Sequence, residues 1–146
     1  MRKILIGLTV MFLCGADKKE DAIKKEMEQL QGQWSMVSGE IDKQPLPENY
    51  VKGATRVVKG DETNVTIAGD VWMKAKFTID PTKKPKTIDY DVSDGPAKGK
   101  ILLGIYELDG DTIKFCYASP GKDRPKDFAT EKGAGLTLST WKRIKK

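Results

Sequence analysis

Histidine is missing from the chain. That removes the commonest general base near neutral pH and the commonest zinc ligand. The only thiols are Cys14 and Cys116. Cys14 belongs to an apolar leader and Cys116 to an apolar segment, where a buried, inert cysteine is expected and no nucleophile–base pair can form. Ser–Lys chemistry would need one serine in a marked context, and none has it. Carboxylates remain. Asp89, Asp91 and Asp94 lie close together, and Asp109 and Asp111 flank Gly110. Calcium needs more oxygens from a loop of defined geometry, and these spacings match no EF-hand. Asp89 and Asp91 share one strand face opposite Ile88, Tyr90 and Val92, as on a solvated outer wall. The residue types predict no catalytic site, no metal and no cofactor. A hydrolase-like enzyme would need a carboxylate and lysine pocket gathered from distant segments.

Binding chemistry has a better candidate. Ser119 to Gly135 is the longest irregular stretch and carries Lys122, Arg124, Pro125, Lys126, Asp127 and Phe128 between glycine-rich ends. Loops longer than about 12–15 residues in compact domains are often functional. Phe128 either folds back as a plug over one end of the fold or projects outward with Arg124. Projecting, it offers an aromatic and cationic patch to a protein or polysaccharide. Arg124, Phe128, Lys122 and Tyr106 are the candidate ligand- or partner-binding residues. Three Gly-Asp steps, Gly60-Asp61, Gly69-Asp70 and Gly110-Asp111, fall between strands rather than before a helix, so they predict hairpin turns and not phosphate loops.

The elements that must position these residues follow a leader. Met1-Arg2-Lys3 is basic, Ile4 to Leu13 is apolar and too short to span a bilayer, and Cys14-Gly15-Ala16 precedes the charged run Asp17 to Asp21. Residues 1–16 read as a signal peptide, with export to the periplasm or beyond. Cys14 as a lipid-anchored residue is the minor alternative, because Phe12 and Leu13 depart from the small residues that a lipoprotein signal requires. Removal of the leader leaves about 130 residues, enough for one core. The net charge falls from +5 to about +3, too small to argue for nucleic acid. One remaining cysteine allows no internal disulfide. No transmembrane segment follows, and a monomer is expected.

Asp17 to Leu30 reads as a short helix, 17–31 with its terminator. Asp17 and Glu20 have capping-box spacing, and Ile23, Met27 and Leu30 share a face. Period-two patterning then predicts strands at Gln33–Ile41, Ala54–Lys59, Glu62–Ala68, Val71–Ile79, Lys86–Val92, Lys100–Leu108, Thr112–Ala118 and Leu136–Arg143. Val71, Met73, Ala75, Phe77 and Ile79 alternate against Trp72, Lys74, Lys76 and Thr78. Eight hairpin-linked strands can close into an all-β, antiparallel, up-and-down barrel; a two-sheet sandwich is the competing arrangement. Residues 17–146 form one domain. The expected inward residues are Trp34, Met36, Val65, Ile67, Met73, Phe77, Ile88, Tyr90, Ile105, Phe115, Tyr117 and Leu138. Most are bulky, which favours a filled interior with a shallow pocket near Ala54 or Ala75 over a cavity for a small apolar ligand.

Gly32-x-Trp34 at the head of the first strand, after a short helix, resembles the opening motif of lipocalins and related calycin barrels. The resemblance implies a tryptophan across the barrel floor with a basic side chain from the last strand stacked upon it. Arg143 matches that place, so Gly32, Trp34 and Arg143 are the expected closure residues. Such a contact is worth ~1 kcal/mol beyond area burial. From Leu30 to Arg143 the chain also resembles a family of small exported domains abundant in planctomycete bacteria. The matching stretches are Leu30-Gln31-Gly32-x-Trp34, Pro45-Leu46-Pro47, Asp80-Pro81-Thr82-Lys83-Lys84-Pro85-Lys86-x-Ile88-Asp89, Gly104 to Asp111, and Pro120-Gly121-Lys122-x-Arg124-Pro125 with Phe128. That family implies the fold and export and brings no activity. The sequence thus predicts an exported, non-enzymatic binding module, with a carrier of a small apolar ligand as the alternative.

Overall fold

The computed structural model describes residues 18–145, in which the period-two segments form antiparallel strands joined in chain order. They are β1 (Gly32–Ile41), β2 (Gln44–Pro45), β3 (Ala54–Lys59), β4 (Glu62–Ile67), β5 (Asp70–Asp80), β6 (Lys86–Asp94), β7 (Ile101–Asp109), β8 (Thr112–Ala118) and β9 (Leu136–Arg143). β1 pairs with β9 from Trp34 opposite Arg143 to Ile41 opposite Thr137. Eight strands therefore close on themselves, and no long sheet edge is left open. The sandwich is excluded. The two-residue β2 is an addition that the sequence did not signal; it folds back on the end of β1 through Asp42 and Lys43, both at positive φ.

Helix α1 covers residues 18–30. Its Ile23, Met27 and Leu30 pack on the core, as their spacing requires. The leader, Cys14 and Asp17 of the expected capping box lie outside the described residues. A second helix, α2 (Glu48–Lys52), bridges β2 and β3. Neither helix is long and apolar enough to cross a membrane.

The barrel has two rims. α1, the Gly60 and Gly110 turns and the end of β9 make one, the sealed base: Gln31 bonds both backbone groups of Gly60, and Arg143 reaches the carbonyls of Gln29 and Gln31. The β4–β5 turn, the segment between β6 and β7 and the long β8–β9 connection make the other, the mouth.

Ten of the twelve expected inward residues line or pack against the core, with Met36 and Tyr117 half-buried. Two expectations are corrected. Ile105 is buried but outside the core, because Tyr106 takes the inward position on β7; Leu138 is likewise outward, because Ser139 and Trp141 point in. A third correction concerns Trp72. The register of β4 and β5 shifts between Val65–Met73 and Thr66–Val71, so Trp72 is the extra residue of a bulge. The bulge turns its ring against the core rather than outward with Lys74.

Candidate functional site

The β8–β9 connection is neither a plug nor a projecting loop. It is a strap laid down the outer wall of the barrel. Arg124 Nη1 donates to the carbonyls of Gly104 (2.8 Å) and Ile88 (3.2 Å), and Nη2 pairs with Asp89 at 2.7 Å. Ala129 lies over Cys116, Thr130 accepts from the Lys43 amide at 2.9 Å, and Gly135 donates to Asp42 at 3.0 Å. Phe128 sits low on the wall with Lys114 Nζ 5.7 Å from its ring centre. The strap is what buries Ile105 and Cys116 on the outward face. Burial, with Asp127 nearby, pushes the Cys116 thiol up to about 11, which keeps it protonated.

The four candidate binding residues are therefore only partly brought together. Arg124 is spent on holding the strap. Lys122 is exposed at its top. Tyr106 is 1% exposed and points inward, where its hydroxyl donates to Glu26 on α1 at 3.1 Å. Burial and that carboxylate both raise the Tyr106 phenol far above its usual range, so it remains a donor. Phe128 and Tyr106 both line one surface hollow.

That hollow is a groove of about 300 Å³ between the β5–β6 turn and the tip of the strap. Pro81, Pro85, Leu108 and Phe128 form apolar walls, and Lys83, Lys84 and Lys86 stand along it. Lys86 is tied to Glu26 at 2.6 Å. Lys83 and Lys84 are exposed and have no acidic partner among the described residues. Sequence reasoning singled out Phe128 but missed the lysines, although Lys83-Lys84-Pro85 stands in plain view between two strands.

Three of the five acidic residues weighed at the outset serve other ends. Asp89 holds the strap, and Asp94 accepts from the Gly95 amide at 2.8 Å. Asp111 takes Lys145 at 2.9 Å and Arg143 at 3.0 Å, contacts that hold its carboxyl below the usual range. Among the described residues no three acidic or cysteine side chains converge as metal ligands.

The closure residues meet at the base. Arg143 Cζ lies 4.3 Å from the Trp34 ring centre, and Trp34 Nε1 donates to the Leu30 carbonyl at 3.0 Å. Gly32 adopts φ +121, and a Cβ there would lie 3.3 Å from Arg143 Nη1.

Inside, the barrel is packed, with two voids of about 10 Å³ each. Both border Arg56, which sequence reasoning missed. Arg56 is 3% exposed and stacks between Phe115 (4.3 Å) and Trp141 (4.7 Å). The expected shallow pocket near Ala54 or Ala75 is displaced. Both alanines are buried, and the hollows at the mouth, of about 280 and 200 Å³, form around Trp72 and Pro96. No family model, no curated protein and no solved structure matches this chain.

Proposed function

We propose that this protein is an exported, non-enzymatic binding module whose groove beside the β5–β6 turn takes an acidic, apolar-containing segment of a protein partner. The observation that carries this reading is the placement of unpaired Lys83 and Lys84 over apolar walls ending in Phe128. Carboxylates of a partner would meet the ammonium groups, and its apolar side chains would bury against Pro81, Pro85, Leu108 and Phe128. A filled interior favours a surface site over a carrier of a small apolar ligand. Export rests on the basic and apolar leader, residues 1–16.

Titration calorimetry with three peptides of equal length and apolar content, one acidic, one neutral and one basic, tests the groove. The acidic peptide binds the wild-type protein. The double charge reversal Lys83→Glu, Lys84→Glu weakens it by roughly tenfold or more, as does Phe128→Ala, while Asp70→Ala at the opposite rim changes nothing. Equal affinity for all three peptides, or an unchanged double variant, removes the groove as the site. Deleting residues 1–16 leaves the protein in the cytoplasm; continued export would remove the leader.

A further inference from the structure

The interior holds a positive charge that nothing in the described chain neutralises. Arg56 belongs to β3, where Ala54, Arg56 and Val58 alternate inward. Its Nη1 donates to Thr63 Oγ1 at 2.9 Å, but Nε finds no acceptor. The Tyr90 hydroxyl, fully buried beside the guanidinium, is also without a well-formed hydrogen bond. No carboxylate stands close enough among the described residues to pair with either. The faces of Phe115 and Trp141 offset part of the cost of burying the cation. They give Nε no acceptor. A guanidinium cannot shed its proton under ordinary conditions, so it cannot escape the cost by becoming neutral.

Arg56 and Tyr90, which carry the two orphaned atoms, line the same void of about 10 Å³, together with Val58, Phe77, Ile88 and Phe115. That space suits one water-sized particle, at the lower limit of ~10–15 Å³ needed to hold one. It excludes sulfate and phosphate, and a halide, somewhat larger than water, enters only if the lining side chains give way slightly. A single acceptor placed there would take hydrogen bonds from Arg56 Nε and the Tyr90 hydroxyl together. If it carried one negative charge it would also neutralise the cation.

We propose that the barrel binds one halide-sized monovalent anion between Arg56 and Tyr90. A second void lies on the mouth side of Arg56. It runs from Arg56, Ser139 and Trp141 up to Leu46, Trp72 and Tyr117 at the mouth. There Trp72 Nε1 and the Tyr117 hydroxyl meet at 3.3 Å and close the opening. The site is separate from the surface groove and stands whether or not that groove binds a peptide.

The test uses the full chain in sodium chloride, bromide and sulfate series at fixed ionic strength. An anion bound only by the native state raises the melting temperature with a saturating dependence on its concentration. Chloride and bromide produce that dependence and sulfate does not. Arg56→Met and Tyr90→Phe each abolish it or shift its midpoint by roughly tenfold or more. The same melting curve in every salt, or an undiminished chloride dependence in a folded Arg56→Met protein, overturns the proposal. Should Arg56→Met fail to fold, crystals of the wild-type protein grown in sodium bromide decide the matter. An anomalous peak between Arg56 Nε and the Tyr90 hydroxyl supports the site; a water or empty space there removes it.

Discussion

Arg143 lies over Trp34, Cζ 4.3 Å from the ring centre, while its Nη atoms hold the carbonyls of Gln31 (2.7 Å) and Gln29 (2.6 Å) at the end of α1. One side chain thus joins the last strand, the first strand and the helix. Trp34, fully buried, is the plate on which this junction is built. Trp34→Ala should cost ~3–5 kcal/mol, as large aromatic truncations in cores do. Denaturant unfolding measures it, and a wild-type midpoint would mean that the base is not held by this ring.

Gly32 admits that junction. Its φ of +121 is open to glycine and costly to other residues, and an added methyl would press on Arg143. Gly32→Ala should lose ~1–3 kcal/mol through backbone strain. The same denaturation experiment reads it. No loss would show that the strand enters the barrel by another backbone path.

Stability should fall in alkali. Burial raises the Tyr90 phenol from 10.0 to about 12, against the smaller opposing pull of Arg56, and raises Tyr106 further. Each group is neutral in the native protein and ionises more readily once unfolded. The native state therefore holds the extra protons, and stability present below pH 10 is lost as pH rises through the folded values. Phenolate absorbance tracked with circular dichroism should show both tyrosines ionising with unfolding. Complete ionisation of all four tyrosines in a folded protein near pH 11 would contradict their burial.

Cys116 reports on the strap. Covered by Ala129 and kept protonated by burial, it should react with a thiol reagent at pH 8 only as the protein opens. Arg124→Ala removes the two carbonyl contacts and the Asp89 pair, so labelling should accelerate several-fold with little change in barrel unfolding. Equal rates in both proteins would show that Arg124 does not hold the strap down.

The barrel was legible because hairpin turns and period-two alternation agree at nearly every strand. Errors arose where both faces are apolar. Ile105 and Leu138 sit beside other large side chains, and only the strap, a tertiary feature, reveals that the outer wall is also covered. Trp72 was misplaced because a bulge changes the count by one without changing the pattern. Arg56 was missed for a different reason. Alternation with Ala54 and Val58 pointed it inward, but a charged side chain is ordinarily solvated, and the stronger general rule hid the local signal. The groove could not be read at all, since the turn at 81–86 and Phe128 meet only after the sheet has curled.

Both ends of the described chain leave from one side. Lys19 pairs with Asp80 at the β5–β6 turn, and Lys145 pairs with Asp111 at the β7–β8 turn. A fusion or immobilising tag joined at either terminus would thus anchor the molecule feet first, with the Trp72 entrance facing away from the support. The lysine-lined hollow, close to the feet, would be the part most readily shadowed by whatever the tag is fixed to.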